Sequence, residues 1–245
     1  MKYKILLLIS IIVTVLVLIV ISNLVLIKYN GSVVDVPNTP RAVEHYGVGP
    51  ALTYVVVGDS TSVAQGGDYD KGIARSTARY IARNHAVTFQ NFGVSGARTA
   101  DIAGAQTIAA VKLHPDIVLI DVAANDVTHL TSIASVKADL SKTIDQFRIV
   151  NASVMIIITG APQMGSVPRF PEPTRWLAGR RTAQINVMAK QLAIDKRLVF
   201  APIAGDTGPT FAKHPELFAA DKFHPTTAGY QIWLPTLYRA LDTVL

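Results

Sequence analysis

The chain predicts one doubly wound α/β domain, built on a parallel sheet of about five strands, together with a single N-terminal transmembrane helix. Three observations carry this. From Ala51 onward, short apolar runs alternate with longer helical patterns, the signature of strand–helix units packed in layers. Two of those runs, DIVLIDV and SVMIIIT, are almost wholly apolar, as strands covered on both faces are; one-sided strands alternate instead. Finally, Ile5 to Ile27 is free of charge. At ~1.5 Å per helical residue it spans a ~30 Å hydrocarbon core with some tilt.

Residues 1–28 read as the membrane anchor. Lys2 and Lys4 precede the span and Lys28 alone follows closely, so the positive-inside tendency places the amino terminus in the cytoplasm and the rest outside. Tyr3 and Tyr29 flank the run at interfacial positions. A cleavable signal peptide has an apolar stretch of roughly 7–15 residues and a small-residue cleavage site. This run is longer, and NLVLIKYNG offers no such site, which favours an uncleaved anchor over secretion after cleavage. Residues 29–50 shift to Gly, Pro, Asn and Thr and read as a linker, with an r.m.s. reach of ~25 Å if flexible.

Residues 51–245 form the domain. Strands are expected at Leu52–Val57, Val87–Phe92, Asp116–Val122, Ser153–Thr159 and Leu198–Ala201, and helices over about 72–84, 99–112, 131–149, 174–196 and 226–243.

Composition removes several classes of function. There are no cysteines, so disulfides, thiolate metal sites, cysteine nucleophiles and lipidated cysteine are all excluded. The net charge of +6 shrinks once the anchor's three lysines are set aside, leaving 20 basic against 17 acidic residues. No Lys/Arg stripe with interleaved aromatics exists, so no nucleic-acid partner is expected. Only three glutamates occur, with no HExxH and no clustered histidines; no metal and no cofactor is expected.

The residues just past each strand are more telling. The first strand ends in GDS (58–60), the second runs into NFGVSGA (91–97), the third into AAND (123–126), and DKFHP (221–225) precedes the last helix. GDS alone reads equally as a turn. In a parallel sheet, however, the strands' carboxyl ends share one rim, where open α/β folds place their sites. The four stretches supply a hydroxyl, a tight glycine, an amide and an Asp/His pair. Acyl transfer needs these parts: nucleophile, base, orienting acid and oxyanion donors.

These four blocks, in this order, resemble those of the SGNH (GDSL) hydrolases. The resemblance covers roughly Thr53 to the carboxyl terminus. It implies a flavodoxin-like three-layer α/β/α fold and metal-free hydrolysis of esters, thioesters or O-acyl groups. Carried over, Ser60 is the nucleophile, His224 its general base and Asp221 the acceptor of the imidazole N–H. The N–H groups of Ser60 and Gly93 and the amide of Asn125 form the oxyanion hole. Two departures stand out: Ala123 occupies the usual glycine position of the third block, and the first block reads GDST.

Other residues compete for these roles. His114 and His214 are also followed by proline, but only His224 has an aspartate three residues before it. GVSGA (93–97) nearly matches the G-x-S-x-G elbow of α/β-hydrolases and offers Ser95 as nucleophile, yet that leaves GDS and AAND unexplained. Asp59, Asp121 and Asp126 read as turn and capping residues. The loop Gly160–Trp176 is a candidate wall for the acyl or alcohol pocket. The chain is therefore expected to be a membrane-anchored, extracytoplasmic serine esterase acting on a small-molecule, lipid or polysaccharide ester. A carbohydrate O-deacetylase or O-acyltransferase of the envelope is the alternative, and a non-catalytic envelope-binding module a third reading.

Overall fold

Apolar side chains alternate between two cores, one on each face of a twisted sheet, in the computed structural model, which describes residues 2–36 and 42–245. In chain order the elements are α1 (Lys2–Tyr29), β1 (Glu44–Tyr46), β2 (Ala51–Gly58), α2 (Ile73–Ile81), β3 (Ala86–Asn91), α3 (Thr99–Asp101), α4 (Thr107–Ala110) and β4 (Ile117–Asp121). They continue with α5 (Ala124–Thr128), α6 (Ile133–Val150), β5 (Met155–Ile158), α7 (Thr174–Asp195), β6 (Val199–Phe200), α8 (Ile203–Lys213) and α9 (Thr227–Asp242). The sheet order is β1-β3-β2-β4-β5-β6. All pairs are parallel except β1 with β3. Val55, Val57, Val118 and Ile120 face the core under α6 and α7; Tyr54, Val56, Ile117 and Leu119 face that under α2, α8 and α9. The result is the three-layer α/β/α arrangement expected, with helices on both faces of a mostly parallel sheet.

The sixth strand departs from the expected five. Glu44–Tyr46 lie inside the predicted linker, yet pair antiparallel with β3, Glu44 opposite Phe89 and Tyr46 opposite Val87. The Tyr46 ring packs 6.1 Å from that of Phe89, and Glu44 pairs with Arg75 at 2.9 Å. Three residues carry no period that a sequence can reveal. Part of the linker, residues 37–41, lies outside the described residues. Asn30–Val34 lie against the domain rather than free of it: Ser32 N–H donates to Ala220 O at 3.0 Å and Gln65 Nε2 to Val34 O at 3.2 Å.

Among the described residues α1 is the one helix long and apolar enough to cross a membrane, and it is a candidate anchor. The expected helix over 99–112 is broken instead. It comprises α3, a π turn over Ile102–Gln106 with Gly104 at φ −96°, ψ −110°, then α4 and a closing 3₁₀ turn.

Switching direction at β2 is what positions a site. The chain leaves β2 for β3 on one side and later returns to β4 on the other, opening a crevice beyond the carboxyl end of β2, where GDS sits.

Candidate active site

β2 stops at Gly58 because the next residues turn their backbone inward and need side-chain partners. Gln106, brought over by the π turn, accepts Gly58 N–H at 2.8 Å and donates to Gly58 O at 2.9 Å. Ser62 Oγ donates to Asp59 O at 2.7 Å, and Gln65 N–H to Ser60 O at 2.9 Å. The loop carrying Ser60 is thus fastened on both sides. Ser60 is buried, its N–H has no acceptor among the described residues, and it lines a cavity together with His224.

His224 reaches that cavity through the short loop before α9. Its Nδ1 lies 2.5 Å from Asp221 Oδ2. Asp221 Oδ1 accepts the N–H groups of Phe223 and His224, both at 3.0 Å. Burial opposes ionisation of Asp221, but the imidazole hydrogen bond and these two N–H donors outweigh it and hold the carboxyl below the usual range. An ionised, triply bonded carboxylate fixes both the tautomer and the ring orientation of His224.

The far walls are apolar. Met164 and Val167, from the Gly160–Trp176 loop, face Phe211, Phe218, Phe223 and Trp233. Phe211 packs edge-on to Phe218 at 5.1 Å. A proline-rich loop beyond β5 is therefore one wall of the cavity, as its position suggested.

The expected oxyanion donors differ in how their hydrogens are engaged. Asn125 opens α5, and its Nδ2 donates one hydrogen to Ala97 O at 3.0 Å, leaving the second available. Gly93 departs from expectation, because its N–H donates to Asn91 Oδ1 at 2.9 Å. What requires glycine at 93 is packing: an added Cβ would come within 1.8 Å of Ser62 Oγ. Three residues on, Gly96 has φ +82°, open space at its Cα and an N–H without an acceptor among the described residues. Ala123 takes φ +84°, ψ 3° and is buried. A left-handed turn before α5 thus explains why glycine suits this position, and alanine holds it at a strain of roughly 1–2 kcal/mol.

The competitors sit elsewhere. His114 is exposed in the turn before β4; His214 is exposed and bonds Glu216 Oε1 at 2.8 Å. Ser95 Oγ donates to Gln65 Oε1 at 2.5 Å and is hydrogen-bonded to no histidine among the described residues. Asp126 accepts the N–H and hydroxyl of Thr99 at 3.0 and 3.1 Å, a capping role.

Asp59 and Asp121 are more than turn residues. Thr61 Oγ1 lies 2.8 Å from Asp59 Oδ1 and 2.6 Å from Asp121 Oδ2. One hydroxyl hydrogen serves only one of these contacts, so the other requires a proton on a carboxyl. Burial pushes Asp59 up, but its Oδ1 also accepts Thr61 N–H at 2.9 Å, which favours the ionised form. Asp121 is pushed up to about 7, first by burial and then by the charge of Asp59. Asp121 therefore holds the proton, donates to Thr61, and Thr61 donates to Asp59. Neither Gln106 nor this chain of hydrogen bonds was legible locally; each depends on residues more than forty positions apart.

Comparison with known proteins agrees with this architecture. Residues 56–232 match the model of the GDSL-like Lipase/Acylhydrolase family. A GDSL-like esterase of Mycobacterium tuberculosis, Rv1075c, is 27% identical over 200 residues, 78% of this chain and 62% of that protein. The chain thus spans less than two thirds of that relative's length. Among solved structures, TesA superposes with a TM-score of 0.64 at 21% identity, covering 79% of this chain and 99% of the other. An acetylxylan esterase from Geobacillus stearothermophilus, Axe2, gives 0.56 at 20%, covering 79% and 95%.

Proposed function

Because the chain belongs to the GDSL-like lipase/acylhydrolase family, we propose that it is a serine ester hydrolase with Ser60 as nucleophile, His224 as general base and Asp221 as the group that orients the imidazole. One observation carries the assignment: Ser60 and His224 line the same cavity, and Asp221 holds His224 at 2.5 Å. His224 Nε2 removes the hydroxyl proton as Ser60 Oγ attacks the ester carbonyl. The same nitrogen then returns the proton to the departing alkoxide, and water repeats the sequence on the acyl-enzyme. Charge on the tetrahedral oxygen is met by the N–H of Ser60 and the free amide hydrogen of Asn125. The third donor is the N–H of Gly96 in preference to that of Gly93, which is engaged by Asn91.

In this reading α1 spans a membrane and the domain lies on its outer side. Labelling with a fluorophosphonate probe and mapping the modified peptide is the test. Modification at Ser60, lost in Ser60→Ala, is expected; modification at Ser95 refutes the assignment.

A further inference from the structure

The last third of α1 is packed onto the catalytic domain, and this fixes how deep the domain sits. Counting ~20 residues at ~1.5 Å each from Lys4 places the far edge of a ~30 Å hydrocarbon core near Leu24. Tilt moves that edge further along the helix. Yet an apolar groove between the helix and the domain already begins at Ile19. Ile19, Leu24, Leu130, Phe170, Trp176 and Leu177 line it. The groove therefore starts ~7 Å inside the hydrocarbon boundary, a depth at which interfacial apolar faces reside.

Two independent features agree with that depth. Asn23 is the polar residue nearest this boundary, and the domain satisfies it: its Nδ2 reaches Glu172 O at 3.3 Å and its Oδ1 accepts from Thr174 Oγ1 at 2.9 Å. Trp176, Leu130 and Leu177 are 60%, 62% and 48% exposed, large apolar side chains left open beside α1, where they share a groove with it. Arg180 lies over the Trp176 ring at 5.2 Å, a cation paired with the aromatic residue most favoured at the headgroup level.

The groove also adjoins the chemistry. Phe170 forms part of its wall and packs edge-on against Phe223 at 5.8 Å. Phe223 lines the catalytic cavity and lies 4.9 Å from the ring of His224. One aromatic contact thus joins the wall of the groove to the wall of the cavity.

We propose that the face formed by Leu130, Trp176 and Leu177 is embedded in the adjoining leaflet, that the groove beside α1 holds an acyl chain of a bilayer lipid, and that the ester delivered to Ser60 is therefore a membrane-lipid ester. The substrate class rests on the serine-hydrolase reading above, and the embedding on the reading there that α1 spans a membrane.

Full-length protein in phosphatidylcholine vesicles tests both halves. Vesicles whose acyl chains are brominated near the headgroup should quench Trp176 emission more than those brominated near the methyl end. Trp176→Phe, which leaves Trp233, should remove most of that difference. In parallel, the double variant Leu130→Asp/Leu177→Asp should turn over a vesicle-borne lysophospholipid about tenfold more slowly relative to its rate on p-nitrophenyl butyrate, equivalent to ~1.4 kcal/mol of lost interfacial affinity. Turnover of the soluble ester without any Trp176 quenching overturns the embedding. Quenching with an unchanged ratio in the double variant overturns the lipid-ester assignment. Quenching with no turnover of either ester overturns the hydrolase reading instead.

Discussion

Asp121→Asn should stabilise the protein, and do so only above acidic pH. The carboxyl of Asp121 is buried, donates to Thr61 and lies 3.3 Å from the Thr159 hydroxyl, which also reaches Gly160 O at 2.9 Å. Asparagine can reproduce both contacts, with Nδ2 donating where the protonated oxygen did and Oδ1 standing where the other did. The difference lies in ionisation. In the unfolded chain the aspartate titrates near 3.8, whereas in the folded protein it is pushed up to about 7. Below pH 4 both states hold the proton and nothing is lost. Between pH 4 and 7 the unfolded chain releases its proton while the folded one keeps it, so folding is disfavoured increasingly as pH rises. Above pH 7 both are ionised and the loss is constant. At ~1.4 kcal/mol per pH unit the full loss is at most about 4 kcal/mol. Solvation and relaxation around a real buried carboxylate bring this nearer ~2 kcal/mol. For a domain of this size that corresponds to roughly 4–8 °C in Tm. Thermal unfolding of detergent-solubilised wild type and variant from pH 4 to 9 measures it, since the titration of most other groups cancels in the difference. The gap should be near zero at pH 4, widen up to pH 7 and then stay level. A gap independent of pH, or a variant less stable at pH 8, would refute the proton placement.

The same geometry predicts three further outcomes. Asp221→Asn should lower kcat by ~10³–10⁴-fold with little change in Tm, because an amide facing Nδ1 favours the wrong tautomer; a steady-state assay on a soluble ester checks this. Asn125→Ala should lower kcat by roughly 10²–10³-fold with KM nearly unchanged, the expected mark of a donor used in the transition state. Gln106→Ala strands the N–H of Gly58 and leaves its C=O with Val94 N–H alone, and should cost ~1–3 kcal/mol, read from urea unfolding; a loss below ~0.5 kcal/mol would show that water replaces the side chain.

The parts of this protein legible in its sequence are those that depend on composition and local period. The uninterrupted apolar run of α1, the doubly buried strands β2, β4 and β5, and the alternation that sorts Val55 from Val56 all stem from how side chains partition from water along a regular backbone. The four rim blocks were legible because a parallel sheet brings strand ends together whatever their separation. Tertiary structure decided the rest. β1 exists only because β3 leaves an edge for three residues to pair with. Gly93 and Gly96 differ in whether their N–H meets an acceptor, a matter of ångströms that composition does not encode. Ala123 reads in the sequence only as a departure from the usual glycine, and in the fold as a left-handed turn. Asp121 reads as a capping residue until Thr61 is seen to join it to Asp59. The protonation of a buried carboxylate is set by desolvation and the nearest charge, and both are properties of three-dimensional neighbours that the chain acquires only on folding.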